Sequence, residues 1–422
     1  MKKYCLLFVG IIFSGIVSYA QTASTEDASE LTPPKDTLSK VGIAKLKYIK
    51  QPGLANAASK IFSADQRYAI SGFGEINYVN YLGPKSRDGG DVELYYTNLY
   101  RSGTYFGYKL TDKLIFMSEL QMELLHDGTD EVHFEYNLEA ILDLLLHNRF
   151  NIRIGNYPVP MGYVNINEEP IAFYTVNRPE VERVIIPTQW LETGLLFYGN
   201  LGKGLEYNAG VTKGLDASDF TEGSWIRQGR YHWYKPSPGH AFNGKLLFTG
   251  IKNFETAISG YSGETRRLPM GEQGQQLQSR VSLLSAYLTY DYKNFSFFGL
   301  GARGWLTGTD QIYNFNENVL GAETFGYYAE LRCDVLPYFA KTDWKLPLFV
   351  RYERLNTHHS ISPELADIAR AQQDLEIITV GGNLRPKKNI TLKANYQFRN
   401  NRYTDSFLPE SNRFEMGLGF IF

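Results

Sequence analysis

Carboxylates recur along two neighbouring segments of this chain, at positions that share one face of an extended strand. They are Glu119, Glu123, Glu131, Glu135, Glu139 and Asp143. Paired carboxylates act as general acids and bases in enzymes, and clusters of them bind calcium. The alternative is a hydrated wall whose charge is offset by arginines, for which the candidates are Arg153, Arg303, Arg351 and Arg399. We favour the wall, whose charges would create a field that discriminates between ions.

Two other motifs carry less weight. Residues 299–304 match G-x-G-x-x-G, but nucleotide binding requires a helix directly after this turn, and no helical pattern follows. His358 and His359 are adjacent in a predicted outer loop, where solvation is favoured over metal binding. The sequence therefore predicts no catalytic residue, no cofactor and no metal site.

The segment 157–189 has the composition of a long ordered loop. Its five prolines argue against a regular pair of strands, and its apolar residues would serve no purpose in a solvated loop. Long ordered loops are usually functional, and inside a wide barrel this one would fold inward and narrow the channel. The charged residues that would then set the field at the narrowest point are Glu168, Glu169, Arg178, Glu180, Glu182 and Arg183.

Strands must position these side chains, because apolar and polar residues alternate along most of the chain from residue 69 onward. The predicted strands are 69–80, 92–108, 113–126, 131–145, 149–156, 190–200, 204–213, 241–250, 253–262, 281–292, 294–305, 323–336, 346–355, 373–384, 389–399 and 411–422. Their connections alternate between short and long. Membrane barrels have an even number of strands, tight periplasmic turns and long outer loops.

The two faces of each predicted strand differ in polarity. In strand 113–126, Leu120, Met122 and Leu124 oppose Glu119 and Glu123. A continuous charged face is too costly to bury in a dry core, so it must meet water while the apolar face meets lipid. The sequence therefore predicts an all-β fold: a transmembrane antiparallel β-barrel of about sixteen strands over residues 66–422, wide enough for an aqueous channel.

Both ends of the chain agree with export to an outer membrane. Residues 1–20 combine two lysines, an apolar run and a small-residue cleavage site, which is the pattern of a signal peptide. Residues 21–65 are predicted to be a partly disordered periplasmic extension, with a segment that folds into the pore as the alternative. The last strand is predicted to pair with the first, and its large apolar side chains are Phe414, Met416, Leu418, Phe420 and Phe422.

Composition narrows the classes of function. Aromatic residues make up 14% of the chain although the mean hydropathy is −0.30, which suits alternating strands better than apolar helices. A net charge of −2 argues against a nucleic-acid partner, since such proteins are distinctly basic. Removal of residues 1–20 leaves Cys333 as the only cysteine, which excludes an intrachain disulfide and a cysteine-based zinc site.

Several motifs over residues 69–422 resemble the Bacteroidota branch of the phosphate-selective porin O/P family. They are Gly72–Tyr78, Gly155–Gly162, Glu169–Pro170, Val176–Glu182, Ile185–Trp190, Glu192–Gly194 and Arg413–Phe422. The resemblance implies a sixteen-stranded channel, often trimeric, whose C-terminal strand is recognised by the barrel assembly machinery. Phosphate-selective members carry an arginine ladder, whereas residues 113–145 are acidic here, so we expect no strong anion selectivity.

We therefore expect an outer-membrane porin through which small hydrophilic solutes or ions diffuse passively. Its partners would be outer-membrane lipid, the barrel assembly machinery, the diffusing solutes and, as the family implies, further copies of itself in a homotrimer. The alternative is an outer-membrane barrel that acts as an enzyme, or as an adhesion or assembly protein, without a channel.

Overall fold

A computed structural model describes most of the chain from residue 51 onward. The described residues are 51–85, 91–230, 239–265, 269–270, 275–369, 372–403 and 410–422. The predicted signal peptide, residues 1–20, and the part of the predicted extension up to residue 50 lie outside them. The described residues all belong to one compact unit, Tyr48–Phe422.

Sixteen strands form a ring, because the period-2 pattern gives each of them one face for the inside and one for the outside. In chain order they are β1 (Tyr68–Tyr81), β2 (Asn98–Lys109), β3 (Leu114–His126), β4 (Val132–His147), β5 (Phe150–Pro158), β6 (Leu191–Gly202), β7 (Leu205–Lys213), β8 (His240–Ile251), β9 (Phe254–Glu264), β10 (Arg280–Tyr292), β11 (Phe295–Leu306), β12 (Glu323–Asp334), β13 (Pro347–Ser360), β14 (Asp374–Lys387), β15 (Ile390–Asn401) and β16 (Arg413–Ile421).

Each strand pairs antiparallel with its neighbours in the chain, and β16 pairs with β1 to close the ring. At this seam Phe414 lies opposite Asn80, and Phe420 lies opposite Gly74. The prediction of a sixteen-stranded antiparallel barrel is confirmed. Closure removes every free strand edge, and a ring of this size encloses a wide interior.

Glycines on β1 make room for the aromatic rings of the terminal strand. A Cβ on Gly72 would lie 2.7 Å from the Phe422 ring, and one on Gly74 would lie 2.6 Å from the Phe420 ring. Both distances are shorter than side chains tolerate. The rings of β16 can therefore pack across the backbone of β1 only because these positions carry no side chain.

The connections alternate between short and long around the ring. Two-residue turns join β6 to β7, β8 to β9 and β10 to β11. Lys203, Asn253 and Lys293 have positive φ in these turns, the left-handed conformation that a tight hairpin demands. Since successive strands run in opposite directions, the long connections emerge at the other end of the barrel, apart from residues 335–346, which join β12 to β13 at the end with the short turns.

Among the described residues, helical structure occurs in the segments between and before the strands. Lys60–Ser63 and Thr309–Asn316 are α-helical, Val181–Ile185 forms one π-helical turn, and 3-10 turns occupy Val92–Leu94, Ala217–Asp219, Arg227–Arg230 and Leu336–Tyr338. A two-residue ladder joins Pro269–Met270 to Gln275–Gln276. None of the helices in the described part of the chain is long and apolar enough to cross a membrane.

Side chains on β3 alternate between the two surfaces of the barrel, as predicted. Leu120, Met122 and Leu124 are 42–46% exposed, whereas Glu119 and Glu123 are 3% exposed. Large apolar side chains are exposed in the same way around the ring. An apolar outer belt on a closed barrel is the surface that lipid requires.

The inward face of β11 corrects one prediction about the inner wall. Arg303 points outward and pairs with Glu323 at 2.6 Å, so it does not offset the acidic wall. The inward side chains of β11 include Phe298 and Leu300, which belong to a buried apolar cluster inside the barrel. The apolar side chains of β11 therefore face inward, the reverse of the arrangement on β3. The reason is that apolar residues from the connections, and not water, fill this part of the interior.

The histidine pair lies in a strand and not in an outer loop, because β13 continues to Ser360. His358 is buried, and its Nε2 lies 3.0 Å from the carbonyl oxygen of Val319. The His359 ring packs against Phe325. Adjacent residues of a strand face opposite sides, so the two imidazoles are not arranged to bind one metal ion.

The strand predicted at 92–108 also starts later than expected, at Asn98. Val92–Leu94 forms a 3-10 turn with a buried Val92 side chain. Apolar residues that pack inside the barrel mouth were thus mistaken for the start of a strand.

Candidate pore constriction

The connection between β5 and β6 lies inside the barrel, and we call residues 159–189 the inward segment. Asn165 closes its base: the side-chain amide donates to the carbonyls of Val159 (2.8 Å) and Trp190 (3.1 Å), and the side-chain oxygen accepts the Trp190 N–H (2.8 Å). The Trp190 ring is fully buried, with its centroid 4.6 Å from that of Tyr261. The two ends of the segment are therefore fixed together at the wall.

A second set of contacts folds the inward segment back on itself. Gly162 has a φ of 62°, and the Glu182 carboxylate accepts the N–H groups of Tyr163 and Val164 at 2.6 and 2.7 Å. Tyr328 on β12 donates to the other oxygen of this carboxylate at 2.6 Å. Glu182, predicted to face the passage, instead satisfies buried N–H groups and anchors the segment.

Replacement of Gly162 by alanine is expected to loosen the inward segment. Gly162 occupies the left-handed region, and a Cβ would lie 2.6 Å from Glu182 Oε2, so the substitution should cost about 1–3 kcal/mol. Limited proteolysis of the folded barrel should then cleave within 159–189 faster than in the wild type. Gly301→Ala is the matched control, since no atom lies within 4 Å of a Cβ added there. Equal cleavage of the two variants would contradict the prediction.

The inward segment reaches the inner faces of β15 and β16. The Val176 N–H donates to Asn395 Oδ1 at 2.8 Å, and the Asn177 amide donates to Glu415 Oε1 at 2.8 Å. Asn395 also donates to Glu415, at 2.7 Å. These bonds pair the segment with wall residues more than two hundred positions away in the chain, and they hold it across the lumen.

The small residues of the terminal strand provide space for this contact. A Cβ on Gly419 would lie 2.5 Å from Pro170, and one on Gly417 would lie 3.2 Å from Val176. Both glycines lie on the inner face of β16. In the terminal strand, the large residues therefore face lipid on one side, and the glycines leave space for the inward segment on the other.

Glu180 lies in an arginine cluster at one side of the inward segment. Its carboxylate accepts from Arg183 and Arg399 at 2.8 Å each and lies 3.7 Å from Arg413. Burial opposes ionisation, but the three arginines outweigh it and hold the pKa of Glu180 well below its ordinary range. Because the folded-state pKa is depressed, this stabilisation is complete above the ordinary carboxyl pKa of about 4.3 and is lost only as pH falls toward the lower value.

Glu168 lies at another side of the segment among carboxyl groups. Tyr105 donates to it at 3.0 Å, and Glu168, Glu119 and Glu139 line one cavity of about 10 Å³, which we call the carboxylate cavity. Burial raises the pKa of Glu168, and the positive charge of Arg101 opposes this rise. The structure thus brings a predicted constriction residue together with two predicted wall residues.

Three further carboxylates lie near each other toward the outer end of the wall. Glu123 and Glu135 are cross-strand partners, and both lie with Glu93 within 4.8 Å of one another. Such a group could share a cation, but Arg227 and Arg230 form ion pairs with Glu93. Its negative charge is therefore already offset in part by side chains.

Two predicted site residues lie apart from these groups. Glu131 is exposed and precedes β4, so it does not belong to the inner wall. Arg178 is half-buried, and its Nε and Nη2 atoms are buried without a hydrogen-bond partner. It faces a cavity of about 20 Å³.

The remaining predicted arginines pair within the wall. Arg153 binds Asp143 at 2.8 Å, and both side chains are fully buried. Arg351 lies 3.4 Å from Glu353 and donates to Thr175 of the inward segment at 2.9 Å. Both arginines therefore neutralise local carboxylates, and Arg351 also holds the inward segment.

Residues 51–64 also lie inside the barrel, and we call them the plug segment. Leu54, Ala57, Ala58 and Ile61 are at most 4% exposed. The apolar cluster around the first three also contains inward side chains of six strands: Phe73, Tyr105, Met117, Ile141, Tyr157 and Leu196. Apolar burial of this kind is what holds the plug segment in the lumen.

Polar contacts fix the backbone of the plug segment. Arg153 Nη1 donates to the carbonyls of Pro52 and Gly53 at 3.1 and 3.3 Å. The Ala57 N–H donates to the carboxylate of Glu169, another predicted constriction residue. The plug segment and the inward segment thus touch each other inside the ring.

A third segment, in the connection between β7 and β8, also folds inward, and the sequence-based prediction missed it. Within residues 214–230, Trp225 is fully buried and donates to the carbonyl of Gly321 at 3.0 Å. Arg227 binds Asp91 at 2.6 Å and donates to the Arg183 carbonyl at 2.7 Å. The sequence signal that could have identified it was the apolar pair Trp225 and Ile226 inside a polar connection. Apolar residues inside a connection also identified 157–189.

These segments leave little free volume around the inward segment. Three cavities that border it measure about 30, 20 and 10 Å³, each large enough for one or two water molecules. Almost every inward side chain at this level is buried. The described segments therefore fill much of the lumen at this level.

Solved structures share this architecture at low sequence identity. OmpF of Salmonella typhi, in complex with daunomycin, is 11% identical, with a TM-score of 0.53 over 84% of this chain and 97% of that chain. A loop-L8 deletion mutant of OmpT, an outer membrane protein of Vibrio cholerae, is 12% identical, with a TM-score of 0.51 over 84% and 99%. The fold is an outer-membrane β-barrel.

Another solved outer-membrane protein and one protein sequence are also similar to this chain. The outer membrane channel DcaP of Acinetobacter baumannii is 14% identical, with a TM-score of 0.50 over 84% of this chain and 97% of that chain. An uncharacterized protein of Aquifex aeolicus (strain VF5) is 28% identical over 361 residues, which cover 83% of this chain and 79% of that protein. No family model matches the chain.

Proposed function

We propose that this protein is an outer-membrane porin that lets small hydrophilic solutes or ions diffuse passively through its lumen. The distribution of side chains carries the proposal. The outer surface of the barrel is apolar, and its interior is rich in charged and amide side chains. Burying charge is costly, so a barrel that served only as an anchor would gain nothing from such an interior. The similarity to an outer membrane channel supports the same interpretation.

The inward segment is proposed to form the constriction of this channel. Glu168, Glu169, Arg178, Glu180 and Arg183 would then define its electrostatic field, with Glu182 as an anchor. Three cavities beside the segment measure only about 30, 20 and 10 Å³, the size of one or two waters. We propose that solutes pass by a movement inside the ring, in which the plug segment is the element that moves.

The charge balance of the interior favours cations over anions. Among the described residues, buried carboxyl groups outnumber buried basic groups by about two to one. Excess carboxylates along a passage attract cations and repel anions. We therefore propose a relative of the phosphate-selective porin O/P family, as the sequence motifs suggest, that is not tuned to phosphate.

The remaining proposals concern export, assembly and oligomeric state. A cleaved signal peptide over residues 1–20, assembly by the barrel machinery and a homotrimer are proposed on the sequence motifs. Outer-membrane lipid would contact the apolar belt. No cofactor and no covalent step are required for passive diffusion.

Planar bilayer recording of the purified protein tests the function. We expect discrete conductance steps and, under a salt gradient, a reversal potential of the sign that indicates cation preference. A barrel enzyme, or an adhesion or assembly protein, would produce no steps. Steps with a reversal potential indicating strong anion preference would keep the channel but contradict the proposed selectivity.

A further inference from the structure

A groove on the outer surface of the barrel interrupts its belt of large apolar side chains. It lies where β14, β15, β16 and β1 are adjacent, and its volume is about 600 Å³. On this surface Gly382 pairs with Ala394, and Ala394 pairs with Met416. Because Gly382 has no side chain and Ala394 has only a methyl group, the surface is hollow at these two strands.

Large apolar side chains border the hollow on its remaining sides. Ile76, Tyr78, Leu392 and Met416 line the groove and are each 43–47% exposed. Leu346, in the connection between β12 and β13, lines the end of the groove nearest the short turns. The volume is within the range of ligand pockets, about 300–1,000 Å³. An apolar groove on the lipid-facing side of a membrane barrel suits a hydrocarbon chain.

Positive charge is concentrated at the end of the groove near the short turns. Lys345 directly precedes a lining residue, and its backbone pairs with that of Arg385 through hydrogen bonds of 2.8 and 3.1 Å. Among residues 335–346 and 385–389, Asp343 is the only acidic residue, whereas five residues are basic. The basic side chains that are exposed are Lys341, Lys345, Lys387 and Lys388. The apolar groove therefore ends at a surface that attracts anions.

We propose that the groove binds an acyl chain of an anionic phospholipid of the periplasmic leaflet, and that the lysines bind its headgroup phosphate. Short turns lie on the periplasmic side of membrane barrels, so the lysines are at the level of these headgroups. Lysine clusters attract anionic lipid, and Trp344, 49% exposed, belongs to a residue type that is enriched at the membrane–water interface. A second copy of the chain fits less well, because protein interfaces are depleted in lysine.

Native mass spectrometry of the full-length folded barrel in detergent, titrated with dioleoylphosphatidylglycerol, tests the site. We expect one tightly bound lipid per barrel, and several-fold weaker binding when Gly382→Leu and Ala394→Leu together fill the groove. A Cβ at Gly382 would first meet the flexible end of Leu348, at 3.0 Å, so the barrel should still fold. Gly301→Leu is the matched control, because it adds the same side chain to a glycine of β11 with no atom within 4 Å of its Cβ, and it should leave lipid binding unchanged.

Removal of the lysines tests the headgroup contact without altering the groove. Lys345→Gln, Lys387→Gln and Lys388→Gln together should weaken phosphatidylglycerol binding by about tenfold or more. Phosphatidylethanolamine, which has no net charge, should bind the lysine variant and the wild type equally. These three side chains are exposed and are not needed for folding, so this variant decides the question even if the groove variant does not fold.

Equal phosphatidylglycerol binding by the wild type and the groove variant, or by the wild type and the lysine variant, would overturn the site. A change of oligomeric mass in the groove variant with unaltered lipid binding would also overturn it and would assign the groove to a second copy of the chain. The lipid site goes beyond the proposed channel and does not depend on it, because the barrel wall separates the groove from the lumen. Lipid binding without conductance therefore rejects the channel alone, and conductance without lipid binding rejects the lipid site alone.

Discussion

Deletion of the plug segment, residues 51–64, is expected to raise the single-channel conductance several-fold. The segment fills the lumen through Leu54, Ala57, Ala58 and Ile61, each at most 4% exposed. The hydrogen-bonded ladders between the sixteen strands do not include these residues, so the barrel should still fold. Water and ions would replace the removed side chains. Planar bilayer recording of the deletion variant and the wild type measures the effect.

A reversible lock separates movement of the plug segment from general loosening of the barrel. A Cβ at Gly107 would lie 2.4 Å from the Cβ of Ile61, and a disulfide needs about 3.8 Å, so cysteines at these positions require only a small shift to bond. In a Cys333→Ala background, which removes the one other cysteine of the described residues, Ile61→Cys with Gly107→Cys should conduct less when oxidised than when reduced. Each single-cysteine variant should show no redox effect.

If the deletion variant is fully folded, as judged by heat-modifiable electrophoresis, and its conductance equals that of the wild type, the plug segment does not limit the passage. The inward segment would then be the only constriction. An unfolded deletion variant would show that the apolar contacts of Leu54 and Ile61 are needed to form the barrel, and the redox lock would decide the question.

The strands could be predicted from sequence because lipid and the interior impose opposite demands on successive residues. On β3, Leu120 and Met122 lie on one side, and Glu119 and Glu123 lie on the other. This alternation identifies the lipid-facing side of the strand without any tertiary information. Boundaries were missed where apolar residues served another purpose, as with Val92. The face of β11 was misassigned for the same reason, since Phe298 packs against Tyr163 inside the barrel at a ring distance of 5.0 Å.

The candidate site could be predicted only as a set of residues and not as an arrangement. Glu180 and Arg399 form an ion pair across 219 positions of sequence, and no local pattern identifies such a partner. The sequence showed that 157–189 was an ordered charged loop. The sequence could not show that Glu182 would anchor the segment, or that Glu168 would join Glu119 and Glu139 around one cavity. Both arrangements depend on how the segment crosses a closed ring.

Removal of Phe422 is expected to impair barrel formation far more than it changes the conductance of the barrels that form. Its N–H donates to the Gly72 carbonyl at 2.9 Å, and its own carbonyl accepts the Gly72 N–H at 3.2 Å. The deletion loses this final pair of the seam, worth about 1 kcal/mol per hydrogen bond, together with the contact of the ring over Gly72. The lumen is unaffected, because Phe422 lies on the outer surface and is 54% exposed.

The folded yield in outer membranes, measured by heat-modifiable electrophoresis, should fall several-fold for this variant. Phe398→Ala is the control, because it removes an outward aromatic side chain of similar exposure, 49%, from β15, away from the seam. Equal yields for the two variants would contradict the prediction. Single-channel conductance of the surviving barrels should match that of the wild type.

Refolding in detergent distinguishes the two causes of such a defect. If the Phe422 deletion refolds normally without cellular factors but fails in cells, the terminal residue acts through recognition by the assembly machinery. If it fails in both, the seam itself is weakened. Gly74→Val tests the seam without altering the terminus, since a Cβ there would lie 2.6 Å from the Phe420 ring. Slow refolding of that variant would show that the rings of β16 need the bare backbone of β1 to close the barrel.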